Sequence, residues 1–350
     1  MKVFIKRIIF YSVPVLLVLT SVNIIVDPAN LVSGIEIKIA KYLSQGFNVT
    51  NVPNIEERML QKNIIQNLHT SPSIIILGSS RIMLIGKEYY GDNCFNNGVS
   101  GASIEDIIAI YQLYIENDHS DFIRKIVIGI DPWLFNENNG QNRWESLANE
   151  YYGFLSKNPL PIIKNIPLFK YSQFLSPSYF QASIKFIPEY LIQLKSNEYI
   201  TPTNKINNIG FTRLNDGTIE YDTKYRSKSE IDIENEFKGY ISGDIYSMEN
   251  YFELSEKVIN IFNLFIETIT KNDTEIEFLL MPYPAMIYAY LTSNEKYKII
   301  SLVEDYIIFY GNEHNINVYG SYNPEQFGLN TNDFYDGMHL NNNGIKKVLK

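Results

Sequence analysis

Ser80, Asp336 and His339 are the residues on which this sequence can run nucleophilic chemistry. A serine hydroxyl is a poor nucleophile until a base takes its proton, and near neutral pH that base is most often histidine. Asp336-Gly337-Met338-His339 puts a carboxylate three residues before an imidazole, where it can orient the ring and stabilise the imidazolium. The other histidines lack that context. His69 ends a helical stretch, His119 lies in the polar NDHSD segment and His314 in NEHN. Backbone N–H groups of Ser80 and Gly101 are the candidate oxyanion donors, glycine allowing a close backbone approach. Plainer roles compete. Ser79 and Ser80 equally suit a helix cap, Asp336 a turn before Gly337, and His339 a surface histidine. Gly98-Val99-Ser100-Gly101-Ala102 nearly spells a Gly-x-Ser-x-Gly elbow, but Ala102 stands where its last glycine would be.

These residues need a scaffold, and the apolar runs supply one. SIIILG (Ser73 to Gly78) and KIVIGI (Lys125 to Ile130) are continuous hydrophobic runs, as expected of strands buried on both faces. Cys94 to Asn97, Glu275 to Met281 and Ile316 to Tyr319 read as three more strands. Helical spacing runs over Asn54 to His69, from Ser103 onward with Glu105 and Asp106 in its first turn, and over Leu254 to Ile269. Strands alternating with helices predict an α/β fold: a three-layer, flavodoxin-like parallel sheet of about five strands. In such sheets the reactive groups sit beyond the carboxyl ends of the strands. Gly78-Ser79-Ser80-Arg81, the Asn97 to Gly101 loop and Gly129-Ile130-Asp131-Pro132 all fall there, and the Asp336 to His339 segment follows the last strand.

In that order the four blocks resemble the SGNH (GDSL-like) hydrolase family, over roughly residues 70–136 and 275–348. The resemblance implies Ser80 as nucleophile, Gly101 as oxyanion-hole glycine, and Asp336 and His339 as the remaining triad members, with no cofactor and no metal. Two positions depart from the family pattern. Ser79 replaces its usual Asp, and Asp131 stands where its oxyanion-hole Asn would be. An ionised carboxylate would repel an oxyanion, so Asp131 is protonated, or turns away toward Arg81 or a substrate hydroxyl, or the hole has two donors; the last is favoured. Arg81, Asp131 and Trp133 are the candidate substrate-site residues.

The rest of the chain bounds the setting. With 350 residues, 45% hydrophobic and 20% charged, it can bury a sizeable core. A net charge of −9 argues against nucleic acid as partner. The one cysteine, Cys94, excludes an internal disulfide and a cysteine-ligated zinc site. Ile8 to Val26 carries no charge and is preceded by Lys2, Lys6 and Arg7. At ~1.5 Å per residue this run matches the ~30 Å hydrocarbon core, and positive flanks stay cytoplasmic. The expectation is a cytoplasmic stub and transmembrane anchor over 1–26, a linker over 27–52, and an extracytoplasmic α/β domain over 53–350. A cleaved signal peptide is one rival, poorly matched by Asp27-Pro28-Ala29-Asn30, and a buried core helix a third reading, disfavoured by the basic flank and the terminal position. Residues 137–248, with Tyr151-Tyr152, Pro159-Leu160-Pro161 and a hairpin turning at Asn215-Asp216-Gly217, read as an insertion forming either a wall of the site or packing filler.

An anchored, outward-facing serine triad resembles the D-alanyl-lipoteichoic acid transfer proteins and anchored SGNH proteins of polysaccharide O-acylation. That likeness implies acyl transfer or ester hydrolysis on a cell-envelope glycan or acylated polymer, with a multipass membrane acyltransferase as donor partner. The competing class is a non-catalytic glycan-binding or envelope-assembly protein on a decayed SGNH fold.

Overall fold

The computed structural model describes residues 2–28, 34–156, 173–195, 200–271 and 273–349. The Pro159-Leu160-Pro161 stretch lies outside the described residues, as do Ala29 and Asn30. Five parallel strands form the central sheet: β2 (Ile74–Leu77), β3 (Cys94–Asn96), β4 (Lys125–Gly129), β8 (Glu275–Leu280) and β9 (Asn317–Gly320). Their order, β3-β2-β4-β8-β9, is the flavodoxin-like order of a doubly wound sheet. Parallel pairing in register (Ile76 with Val127, Val127 with Glu277) brings the carboxyl ends of β2, β4 and β8 to one edge. The β-branched runs of β2 and β4 are buried because helices cover them.

Helix α3 (Glu57–Gln66) and helix α4 (Ile104–Glu116) pack against each other and against this sheet. Ser103 opens α4 with a capping box closed by Asp106. Helix α5 (Ala148–Leu155) lies on α4. Helix α8 (Glu256–Thr270) buries Phe262, Phe265, Ile266 and Ile269, and α10 (Ile299–His314) buries Ile300, Val303 and Ile307. The helical spacing of the sequence is thus the spacing of the core contacts.

One sequence expectation changes. Residues 27–52 are not a plain linker: they contain α2 (Ile35–Ser44) and strand β1 (Asn48–Thr50). The reason is burial, since Ile35, Ile39, Ala40 and Leu43 close over Leu60 and Ile64 of α3 in a second apolar cluster. The insertion at 137–248 is built into the fold. Its strands β5 (Thr201–Thr203), β6 (Thr212–Arg213) and β7 (Ile219–Glu220) join β1 in an antiparallel sheet ordered β5-β1-β6-β7. The expected hairpin is β6–β7, and its turn docks on the main sheet where Asn96 N–H donates to the Asp216 carbonyl (2.8 Å).

Helix α1 (Lys2–Val26) meets α6 (Pro177–Lys195) of the insertion. There Asn23 is buried, its Nδ2 donating to the Phe174 carbonyl (2.9 Å) and its Oδ1 accepting from the Ser183 hydroxyl (3.0 Å). Among the described residues no helix is long and apolar enough to cross a membrane.

Candidate active site

β2 ends at Leu77, and Gly78, at φ +148°, turns the chain across Gly129. Ser79 and Ser80 then divide two tasks between them. The Ser79 Oγ caps the short helical turn Ser80–Ile82, accepting from Arg81 N–H at 3.2 Å. This leaves the Ser80 hydroxyl for His339, whose Nε2 lies 2.8 Å from its Oγ. The His339 Nδ1 is 2.9 Å from both carboxylate oxygens of Asp336. An ionised carboxylate only accepts, so Nδ1 carries the proton and Nε2 is the acceptor facing Ser80. The Asp336 Oδ1 also takes the backbone N–H groups of Met338 (2.8 Å) and His339 (2.9 Å), so the turn that aims the carboxylate also aims the imidazole. The triad members are half-buried.

Burial by itself would raise the Asp336 pKa. The His339 ring, the Tyr225 hydroxyl and the Met338 N–H outweigh it and hold the carboxyl well below the usual range. Tyr225 donates to Asp336 Oδ2, and burial beside that carboxylate pushes the phenol far up, so it stays a donor. Replacing Tyr225 by Phe removes a hydrogen bond to a charged group, worth ~1.5–3 kcal/mol. Asp336 then titrates higher, and the charge that stabilises the imidazolium is lost earlier as pH falls. The expected result is an acid limb of kcat/KM displaced to higher pH in Tyr225→Phe, with little change on the alkaline side; coincident profiles would show that Tyr225 does not tune Asp336.

The remaining histidines are engaged elsewhere. His119 Nδ1 pairs with the Ser71 hydroxyl (2.7 Å), and His314 stacks on Tyr310 at 4.0 Å. His69 is exposed. Among the described residues no group of three His, Cys, Asp or Glu is placed to hold a metal ion.

The glycine loop is gripped from α3. Glu57 Oε2 accepts from Ser100 N–H (2.6 Å), and Arg58 donates to the Ser100 carbonyl (3.1 Å) while pairing with both oxygens of Asp106. Burial would raise the Glu57 pKa, but Arg213, Ser100 and Arg58 lower it further, so it stays ionised. Asn96 joins this loop to the serine loop, donating to the Ile82 and Ile85 carbonyls (2.7 Å each) and accepting from Gly98 N–H (2.8 Å). Asn97 is occupied with Gln61 and Tyr114. Gly101 sits at φ +56°, with the Tyr246 hydroxyl and the Arg143 guanidinium so close that a Cβ would collide with both. Among the described residues, the backbone N–H groups of Ser80 and Gly101 have no acceptor.

Arg81, Asp131 and Trp133, the candidate substrate-site residues, lie behind the loops that carry Ser80, Gly101 and His339. All three are buried, and each serves a neighbouring loop. Arg81 pairs with Asp131 Oδ1 (3.3 Å), donates to the carbonyls of Met338 (3.2 Å), Pro282 (2.9 Å) and Met281, and lies 4.0 Å over the Tyr283 ring. Asp131 therefore turns toward Arg81, one of the three resolutions of its departure from the family pattern. Burial raises its pKa, opposed by Arg81, Ser79 and His339. Trp133 Nε1 donates to the Ala102 carbonyl (3.2 Å) and its ring meets Tyr246 edge-on at 5.3 Å, so it supports the glycine loop from behind. Breaking a buried ion pair on one side leaves an unpaired charge, costing ~3–5 kcal/mol, whereas replacing both partners by apolar groups is often neutral. Asp131→Ala is expected to lower the unfolding free energy by that much, read as a lower denaturant midpoint at unchanged slope, and Arg81→Met with Asp131→Leu to recover most of it. Equal midpoints for Asp131→Ala and the parent would mean that the pair does not brace the site.

The sequence pointed to neither Glu57, Arg58, Asn96, Arg143, Tyr225 nor Tyr246. No protein-family model matches the chain, and no curated protein matches it.

Proposed function

We propose that this chain is a membrane-anchored, extracytoplasmic serine acyltransferase or esterase of SGNH type, acting on cell-envelope glycans or acylated polymers. The observation that carries this reading is the Ser80–His339–Asp336 relay, in which a 2.8 Å contact joins Ser80 to His339, 259 positions apart, and a 2.9 Å contact joins His339 to Asp336. The flavodoxin-like strand order and the block order along the chain agree with the family's three-layer fold. In the first half-reaction the Ser80 Oγ bonds to the acyl carbonyl carbon as His339 Nε2 takes its proton. The carbonyl oxygen becomes the oxyanion that the Ser80 and Gly101 N–H groups would receive. The C–O bond to the donor breaks, and His339 returns the proton to the leaving oxygen. In the second half an acceptor hydroxyl, or water, gives its proton to His339 and bonds to the acyl carbon; the bond from that carbon to the Ser80 Oγ breaks, and His339 returns the proton to Oγ.

Transfer to a glycan hydroxyl is preferred over hydrolysis because the insertion walls the site with Tyr221, Tyr225 and Tyr246. The Tyr221 ring is 6.2 Å from that of His339. A multipass acyltransferase is the donor partner that fits an anchored acceptor of acyl groups. The proposed anchor is the Ile8 to Val26 run; α1 falls short of a full membrane span among the described residues, but it exposes Phe10, Val15, Leu16, Leu17, Val18 and Ile25 on one continuous helix. Such a surface is unfavourable in water and favourable in lipid. The burial of Asn23 against the insertion accounts for a polar residue in this helix.

A fluorophosphonate probe applied to the full chain in detergent is expected to label the parent and not Ser80→Ala. Absence of labelling in folded parent protein under all conditions sinks the serine-nucleophile reading and favours a non-catalytic binding protein. Extraction of the protein from membranes by alkaline carbonate would overturn the anchor.

A further inference from the structure

A cavity of ≈490 Å³, within the range of small-molecule sites, opens beside the glycine loop. It reaches the loop at Ser100, one residue before Gly101, and Arg143 lines it while its guanidinium stands against the Gly101 Cα. We propose that this cavity is the acceptor subsite and takes an oxyanion, a phosphate or a carboxylate, carried by the acceptor. The assignment of the anion to an acceptor rests on the acyl-transfer reading; the anion site itself rests on the charges that line it.

Most of those charges are spent. Arg58 pairs with Asp106. Arg213 pairs with Glu57, whose other oxygen holds the Ser100 N–H. Glu56 accepts from Arg58 N–H, and burial pushes its carboxyl up, which weakens its charge. Arg143 differs. Its hydrogen bonds go to the Gln141 side-chain carbonyl (3.0 Å) and the Tyr246 hydroxyl (2.7 Å), both neutral, and among the described residues no carboxylate pairs with it. It is exposed, so its charge costs nothing to keep and is available to a ligand. Arg213 also lines the cavity and keeps donor capacity unused. It is buried, yet its Nε and Nη1 have no hydrogen-bond partner, an expensive arrangement in a folded interior. Phe211 also lines the cavity, its ring centroid 5.7 Å from the Arg213 guanidinium carbon.

Guanidinium groups suit phosphate and carboxylate because their planar forks match two oxygens. On a chain of net charge −9, an anionic polymer is repelled overall, so a local cation at the site would set where it docks. An acceptor held at Arg143 has its neighbouring hydroxyls beside Gly101, the residue proposed to receive the oxyanion.

The test is calorimetric titration of the full chain in detergent with sn-glycerol 1-phosphate and with glucuronate, against glycerol and glucose. Saturable binding is expected for at least one of the two anions and for neither neutral compound, and which anion binds distinguishes a phosphate from a carboxylate acceptor. Arg143→Gln is expected to weaken binding at least tenfold, and Arg143→Lys to keep part of it, with unchanged thermal midpoints. Equal binding of neutral compounds, no saturable binding of either anion, or full affinity in Arg143→Gln overturns the subsite. Fluorophosphonate labelling is read on the same preparation. Labelling without anion binding overturns the subsite alone, and anion binding without labelling upholds the anion site while overturning the acyl chemistry.

Discussion

Replacing Ser80 by alanine is expected to lower kcat for turnover of an activated acyl ester by about 10⁴–10⁶-fold, and replacing His339 by alanine to cost about as much. In the proposed mechanism the two side chains act as one unit, since the hydroxyl attacks only as the imidazole takes its proton. The double variant should therefore be hardly slower than either single variant, and additive losses would argue against a shared step. Asp336→Ala is expected to cost less. Its carboxylate orients the ring and stabilises the imidazolium, and Nε2 could still reach Ser80 for part of the time. Stopped-flow release of p-nitrophenol from p-nitrophenyl acetate separates the effects. A burst followed by slow turnover in the parent would report an accumulating acyl-enzyme, and Ser80→Ala should lose the burst. A burst that survives in Ser80→Ala would place the nucleophile elsewhere.

The parts of this site that follow from local sequence were legible. β2 and β4 declare themselves because strands buried on both faces need unbroken apolar runs, and their ends fix where Ser80 and Asp131 must emerge. His339 stood out because its aspartate is three residues away, within one turn. What stayed hidden are pairings between distant segments. Glu57 and Arg58 look like ordinary residues opening an amphipathic helix, yet they hold both backbone polar groups of Ser100. Tyr225 and Tyr246 sit in a chain with 26 tyrosines, so composition gave no reason to single them out. The stretch from Ile35 to Ser44 is a different case. Ile35, Ile37 and Ile39 alternate as in a strand, while Ile39, Ala40 and Leu43 are spaced as in a helix, and packing on α3 decides for the helix. Asp131 was the residue whose role the sequence left most open. A carboxylate at a strand end of an open sheet suggests substrate contact, but Arg81 lies beside it in sequence-distant, buried contact and takes its charge inward.

Gly101→Ala is the second variant expected to act strongly, by about 10²–10³ in kcat, the cost typical of losing one oxyanion donor. Two separate strains meet there. At φ +56° an alanine pays a conformational penalty that glycine escapes. Its Cβ would also collide with the Tyr246 hydroxyl and the Arg143 guanidinium. Neither the ends of the loop nor its neighbours can yield easily. Ser100 is clamped by Glu57 and Arg58, and the Ala102 carbonyl is held by Trp133. The strain is therefore expected to rotate the Gly101 peptide, moving its N–H away from the Ser80 carbonyl-binding position, and not to unfold the sheet. Combining Gly101→Ala with Tyr246→Ala and Arg143→Ala removes the collision and leaves only the backbone penalty, so part of the activity should return. Full recovery would mean that φ does not matter at this position. No loss in Gly101→Ala, with the protein acylated at the parental rate, would remove Gly101 from the oxyanion hole and leave Ser80 N–H as the donor to which a second must be found.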